Sequence, residues 1–292
     1  MDNIKSNENI DEKKDQKDVK NIKGTLFRWT EESAAWYEAA SEYTGYHDRL
    51  TEIIAPHLSD SYTCCELACG TGTLARHLAP YVKSYTANDI DHHATEHLAD
   101  MTADGSCPNL DIVLGDWHEV FAGRKFNAAV FSFFGAVEQD WDRLKELVTD
   151  RIVVISPRTR TGKMKLAADR AAADQKATDA NDNADHADHK DPEKPQRIIR
   201  GKVRSFETGP SIAEFLDKNS INYIRNDVDL EFGQPFDNLS QARDYTRYYY
   251  KLDEQDIDIF LEKKLERLED GRWYFPKVKE LSVIIIDMTS VK

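Results

Sequence analysis

The chain has 292 residues, enough for one large domain or two small ones, and its 53 acidic and 39 basic side chains give a formal net charge of -14. This acidic surplus disfavours nucleic acid as a partner, because neutralising phosphates requires an excess of Lys and Arg on one face. No apolar run reaches the ~18 residues of a membrane span, and residues 1–20 lack the apolar segment of a signal peptide, so we expect a cytoplasmic protein without membrane contact.

Two stretches of the chain are almost devoid of apolar residues. We interpret 1–24 as a disordered polar tail and 158–208 as a low-complexity flexible insertion, since neither has the apolar surface to join a core. The segments 25–157 and 209–292 are expected to form one domain. The insertion contains Asp-His-Ala-Asp-His at 185–189, a set of metal-ligand types that a solvated acidic linker explains more simply.

The first ordered elements are predicted to be two helices. Thr30 suits the N-cap position of a helix that runs through Trp36 and Tyr37, with acids in its first turn. A second helix near 46–56 has its apolar side chains on one face.

Strand and helix patterns then alternate as far as residue 156. Strands are predicted at 62–67, 84–89, 110–114, 126–132 and 151–156, and helices at 73–80, 92–102 and 139–149, with a short turn at 117–122. Such alternation is typical of a parallel sheet with helices on both faces, so we expect a Rossmann-like α/β fold.

The segment after the insertion is expected to complete this sheet. A helix is predicted near 210–219, followed by an alternating strand whose one face carries Ile224, Val228, Leu230 and Phe232. Two further helices, near 238–250 and 254–269, would form a helical cap at about 234–276. The β-branched run at 281–288 predicts a buried final strand.

Three of the four cysteines are crowded at Cys64, Cys65 and Cys69. Neighbouring residues on a strand point to opposite faces, and no fourth ligand is evident. Burial in the core is therefore preferred over a metal or redox cluster.

A glycine turn follows the first strand in the segment 66–74, Glu-Leu-Ala-Cys-Gly-Thr-Gly-Thr-Leu. Gly70 and Gly72 would let the backbone turn tightly and approach a ligand closely. The same spacing satisfies the dinucleotide fingerprint of an NAD-dependent oxidoreductase. Glu66, however, would repel an anionic pyrophosphate and attract an ammonium or sulfonium. The turn therefore favours a cationic ligand.

Two more acids stand at the next two strand ends. Asp89 could accept both hydroxyl groups of a ribose, and Asp116 could accept from an adenine amino group while its apolar neighbour Trp117 covers the ring. Three acids at successive strand ends converge at the edge where open α/β sheets bind ligands.

This ordered series of acids and glycines resembles the signature of the class I S-adenosylmethionine (SAM)-dependent methyltransferases over about residues 60–156. The resemblance implies a seven-stranded sheet whose last strand is antiparallel and lies beside the fifth. It also implies SAM as the cofactor and in-line methyl transfer to a small-molecule or protein acceptor. Ala68 stands where the family often has glycine, and it fits if its φ is negative.

The resemblance also implies which residues would contact SAM. Some of these residues belong to the glycine turn, and others stand at the ends of the second, third and fourth strands. Tyr37 would reach the site from a helix that in the family often covers the cofactor. The full set is Glu66, Ala68, Cys69, Gly70, Gly72, Asp89, Ile90, Asp116, Trp117, Ser132 and Tyr37.

The acceptor and any base are less defined. The fourth strand ends in Ser-Phe-Phe-Gly at 132–135 and lacks the Asn- or Asp-Pro-Pro-aromatic motif of enzymes that methylate the amino groups of adenine or glutamine. His47, His118 and Glu138 are candidates if a base is needed, and no catalytic residue is assigned. Two rivals remain: an NAD-dependent oxidoreductase, which leaves Glu66 without a role, and a non-catalytic SAM-binding regulatory subunit.

Overall fold

The computed structural model describes residues 28–135, 137–159 and 207–291. The tail at 1–24 and nearly all of the insertion, including the repeat at 185–189, lie outside these residues. No helix in the described ranges is long and apolar enough to cross a membrane.

The described chain forms ten strands and nine α-helices. The strands are β1 (Thr63–Leu67), β2 (Ser84–Asp89), β3 (Leu110–Leu114), β4 (Phe126–Ser132), β5 (Val148–Pro157), β6 (Tyr223–Glu231), β7 (Gln234–Phe236), β8 (Glu266–Arg267), β9 (Trp273–Phe275) and β10 (Val278–Asp287). The helices are α1 (Glu31–Thr44), α2 (Tyr46–Ile54), α3 (Thr73–Leu78), α4 (His92–Met101), α5 (Trp117–Val120), α6 (Trp141–Leu147), α7 (Gly209–Lys218), α8 (Leu239–Tyr250) and α9 (Glu254–Lys264).

Seven strands form a single sheet in the order β3-β2-β1-β4-β5-β10-β6. Strands β1 to β5 pair in parallel, whereas β10 is antiparallel to both of its neighbours. The predicted Rossmann-like sheet is therefore confirmed, and so is the antiparallel last strand beside the fifth. This is the strand arrangement that the resemblance to class I methyltransferases implies.

Alternating strand residues build two cores, one on each face of the sheet. Cys64 faces a core with α1 to α4, and Cys65 faces the opposite core with α5 to α7. Both thiols are fully buried and free, as the period of two along a strand requires. The interpretation of these cysteines as small core residues is confirmed.

The carboxyl ends of β1 to β5 meet at one edge of the sheet. The first residues of β10 lie at the same edge because that strand runs in the opposite direction, with Leu281 opposite Pro157 and Lys279 opposite Leu230. Residues that are 150 or more positions apart in sequence are thereby brought to one edge. Every side chain of the candidate site depends on this arrangement.

The segment at 234–276 differs from the helical cap that the sequence predicts. It contains α8 and α9, but also a three-stranded sheet in the order β7-β9-β8. The predicted helix at 254–269 ends at Lys264, and the chain turns at Gly271 so that Arg267 packs on the ring of Trp273 at 4.5 Å. Strands of two or three residues are too short to show an alternation of apolar and polar side chains, so the sequence pattern extended the helix wrongly.

Two smaller boundaries also shift. The predicted helix at 139–149 is confined to α6, because the β-branched residues Val148 and Thr149 already belong to β5. The expected turn at 117–122 contains the four-residue helix α5.

Candidate functional site

The glycine turn connects β1 to α3 through three residues with positive φ. These are Ala68 (φ 55°), Gly70 (φ 56°) and Gly72 (φ 68°). A Cβ atom on Gly72 would lie 2.4 Å from the side chain of Leu98 in α4, so any other residue here would force that side chain to move. The condition that Ala68 keep a negative φ is not met: the turn holds an alanine in the left-handed region that glycine prefers.

The carboxylate of Asp89, at the end of β2, is tied to this turn. Its two oxygens accept hydrogen bonds from the backbone N–H of Gly70 at 2.7 Å and of Asp91 at 2.8 Å. Asp89 is 7 % exposed, and burial raises the pKa of its carboxyl group, an effect that these two backbone donors oppose. Asp89 thus fixes the turn and still presents a small accessible surface at the sheet edge.

Glu66 lies in β1 just before the turn and is 2 % exposed. Burial raises the pKa of its carboxyl group to about 8; the hydroxyl of Tyr85, which donates a hydrogen bond at 2.8 Å, lowers this pKa, and nearby Asp89 raises it. No Lys, Arg or His within the described ranges forms an ion pair with it. The site therefore contains a buried acid that a cation would stabilise in its charged form.

The ends of β2 and β3 expose apolar side chains beside two acids. Ile90 is 49 % exposed and Leu114 is 47 % exposed, and Leu114 is the cross-strand partner of Asp89. Asp116 caps α5 and accepts a hydrogen bond from Nδ1 of His118 at 2.9 Å. Trp117 is only 3 % exposed and packs in the core below the sheet, so its side chain does not line this surface.

The N-terminal helix α1 covers the glycine turn. The indole of Trp29, which precedes the helix, comes within 3.0 Å of where a Cβ on Gly70 would be. Tyr37 packs edge-on against Trp29 with ring centroids 5.4 Å apart. Glu38 anchors the helix to α3 by accepting hydrogen bonds from Thr73 at 2.7 Å and Arg76 at 2.6 Å. Tyr37 therefore reaches the site edge.

The carboxyl end of β4 faces an aromatic cluster. Ser132 is half-buried, and the next residue, Phe133, has a φ of 53°. This left-handed conformation is uncommon for a bulky residue and directs the ring toward β10. The ring of Phe133 lies 5.1 Å from Nζ of Lys279.

The three candidate bases lie in different surroundings. His47 is 2 % exposed and hydrogen-bonds to Tyr37 and Ser41, and burial holds its pKa well below the usual value. His118 lies between Asp116 and Asp140, and the side chain of Glu138 is exposed. Only His47 belongs to the cluster at the end of β4.

Sequence reasoning overlooked three residues of this edge: Trp29, Leu114 and Lys279. The period of two along β10 places Lys279 on the same face as Leu281 and Val283, which would have indicated its inward position. Leu114 and Trp29 leave no comparable signal, because their roles arise from the packing of distant segments.

Comparison with known proteins supplies little beyond the fold. No protein-family model and no curated protein matches the sequence. The YcgJ protein from Bacillus subtilis aligns with 82% of this chain and 98% of its own at 13% identity and a TM-score of 0.48. Precorrin-6y C5,15-methyltransferase from Geobacter metallireducens aligns with 82% of this chain and 87% of its own at 9% identity and a TM-score of 0.44. Similarities this low carry no functional argument, and the fold is defined by the strand order itself.

The positive φ of Ala68 predicts that Ala68→Gly stabilises the protein. Glycine adopts this conformation without strain, and we expect the free energy of unfolding to rise by about 0.5–1 kcal/mol after the larger entropy of the unfolded glycine is subtracted. Urea titration measures the change. Ala99→Gly, at an exposed position of α4, is the matched control and should lose about 0.5–1 kcal/mol; a loss in both variants would contradict the strain at Ala68.

The raised pKa of Glu66 predicts a pH-dependent stability. The folded carboxyl group keeps its proton up to about pH 8, whereas in the unfolded chain it ionises near pH 4.3. This contribution to stability is fully present at low pH and is lost as the pH rises through 8. The free energy of unfolding of Glu66→Gln, relative to that of the wild type, should therefore increase by about 1.4 kcal/mol per pH unit between the unfolded and the folded pKa of Glu66.

Urea unfolding at several pH values tests this expectation. Glu262→Gln, which changes an exposed acid on α9, should follow the wild-type curve. Parallel curves for wild type and Glu66→Gln would contradict a buried, protonated Glu66.

Proposed function

We propose that the protein binds SAM at the glycine turn and transfers its methyl group to an acceptor, most simply a small molecule. The observation that carries this proposal is the buried carboxyl group of Glu66, which lies next to the turn without a cationic partner in the described ranges. A ligand that brings an ammonium or sulfonium to this position supplies the missing charge.

The residues around the turn fit the parts of SAM in sequence. Gly70 and Gly72 add no side-chain atoms to the turn, so a ligand could approach its main-chain atoms closely. Glu66 would neutralise the amino group, directly or through water, and Asp89 would accept from the ribose hydroxyl groups. Exposed Ile90 and its neighbour Leu114 would cover the adenine, a role that the sequence had suggested for Trp117.

Asp116 retains its proposed contact with the adenine amino group, since its side chain is 46% exposed. A carboxylate accepts several hydrogen bonds at once, so the contact with His118 does not preclude a further one. The proposed SAM contacts of Cys69, Ser132 and Tyr37 are compatible with their places along the same edge.

A nicotinamide dinucleotide fits this arrangement poorly. Its pyrophosphate would approach the turn beside the carboxyl groups of Asp89 and Glu66, and neither group supplies the positive charge that a pyrophosphate needs. A non-catalytic SAM-binding subunit would have the same acids as an enzyme, so product formation from methyl-labelled SAM separates these two possibilities.

The chemistry divides between the ligand and the protein. SAM supplies a methyl group on a positively charged sulfur, an already activated donor. The protein orients the reacting groups and excludes water, which are large contributions to such displacements. Trp29 and Tyr37, as part of the cover from α1, exclude water on one side of the turn.

We expect calorimetry to show binding of SAM and S-adenosylhomocysteine with micromolar dissociation constants, which correspond to binding free energies of about 7–8 kcal/mol.

Asp89→Ala removes acceptors for the ribose hydroxyl groups and the hydrogen bond to the N–H of Gly70. It should weaken binding by about 10- to 100-fold while the sheet remains folded.

Asp111→Ala is the matched control, since Asp111 is an exposed acid within β3 rather than at a strand end. Its affinity should equal that of the wild type. Absence of heat and of a thermal shift with either ligand at millimolar concentration would reject the proposed function.

A further inference from the structure

A lysine at the site edge is enclosed by aromatic rings from four parts of the chain. Its Nζ atom lies 3.5 Å from the ring centre of Phe232 and 4.5 Å from that of Tyr46. Phe133 and Tyr37 complete the enclosure at 5.1 and 5.5 Å. We call Lys279 and these four rings the lysine cage.

The amine of Lys279 has no acidic partner. It forms no ion pair or hydrogen bond with any residue in the described ranges, and burial holds its pKa well below the usual value, with Lys277 acting in the same direction. The titratable groups around it are Tyr37 from α1, Tyr46 and His47 from α2, and Lys277. None of them is a carboxylate that would offset the cost of burying the ammonium, so burial shifts the amine toward its neutral form, which is a base.

A second polar group in the cage also lacks a partner. Tyr46 is 1 % exposed, and its hydroxyl group forms no hydrogen bond with the described residues. Buried hydroxyl groups normally find a partner because leaving one unpaired is costly. The cage thus contains an amine and a hydroxyl group that both lack a hydrogen-bond partner among the described residues, and the rings of Tyr46 and Phe232 lie 4.7 Å apart.

The cage adjoins the proposed SAM site. Tyr37 contacts Trp29, which lies on Gly70 of the glycine turn. On the other side, Phe133 follows the last residue of β4, and Lys279 stands near the start of β10 at the same sheet edge. A ligand in the cage would lie beside the turn, where a methyl acceptor has to be.

We propose that the lysine cage binds a planar aromatic alcohol as the methyl acceptor and that Lys279 takes the proton of its hydroxyl group. The aromatic rings favour a flat apolar body, and a neutral amine favours an acid that can give up a proton. In this step the O–H bond breaks, the electron pair stays on oxygen, and an N–H bond forms at Nζ. The oxygen anion is then paired with the Lys279 ammonium and accepts from Tyr46.

An amine acceptor suits the cage poorly. An alkylammonium would meet Lys279 and the buried His47 without a carboxylate to neutralise it. The choice of a phenol-like acceptor rests on the proposed function, because it assumes that a methyl donor binds at the neighbouring turn.

The test uses 4-nitrophenol, which absorbs visible light when its hydroxyl group is ionised. The protein, saturated with S-adenosylhomocysteine, is titrated with the probe at a pH where the free probe is mainly protonated. We expect the absorbance of the phenolate to increase with wild type and to be lost in Lys279→Met, which keeps the length of the side chain. Lys263→Met, at an exposed position of α9, is the matched control and should behave as the wild type.

Tyr46→Phe provides a second variant that breaks no existing hydrogen bond in the described structure. It should bind the phenolate about tenfold more weakly, the effect of one hydrogen bond to a charged oxygen. Equal phenolate formation in wild type and Lys279→Met, or no phenolate in wild type, would overturn the proposal. Calorimetry with S-adenosylhomocysteine on the same samples shows separately whether the proposed SAM site stands.

Discussion

The candidate site depends on one costly feature, a carboxyl group buried at the end of β1 without a cationic partner among the described residues. Glu66 is held there by its position in a strand that is paired on both sides and by the hydroxyl group of Tyr85. Burial disfavours the ionised form of this carboxyl group. A bound ammonium or sulfonium would favour the ionised form, because an opposite charge nearby stabilises a buried carboxylate. On the proposed function, this arrangement would favour cationic ligands over pyrophosphates at the edge.

The glycine turn is shaped by groups that come from several elements. Asp89 holds the N–H of Gly70, Leu98 fills the space beside Gly72, and Ala68 is kept in a left-handed conformation. A strained residue persists only where its surroundings determine the backbone, and here the paired strands and α4 do so. The same constraint explains how the turn can present main-chain atoms to a ligand without collapsing onto the sheet.

Much of this arrangement could be predicted from the sequence, since it depends on local patterns. Alternation and β-branched runs located the strands, and the three acids were noticed because they lie at or just after the carboxyl ends of those strands. The small sheet β7-β9-β8 was missed because its strands have two or three residues each. Lys279 was missed because the predicted strand began only at residue 281, whereas β10 begins at Val278. Trp29 was missed for a different reason: its surroundings come from segments far apart in the chain, and the periodicity of a single segment contains no information on which segments meet. Trp117 shows the opposite error. It directly follows Asp116 in the sequence, but its own side chain is buried in the core.

The most direct test of the account is proton release when S-adenosylhomocysteine binds at about pH 7. Calorimetry in two buffers with different ionisation enthalpies measures it. Free Glu66 is protonated at this pH, and the ligand's ammonium should lower its pKa, so binding to the wild type should release up to about one proton. Glu66→Gln should release none, and neither should adenosine, which lacks the amino group. Equal release by wild type and Glu66→Gln, or none by either, would contradict the placement of the ligand's cationic end beside Glu66.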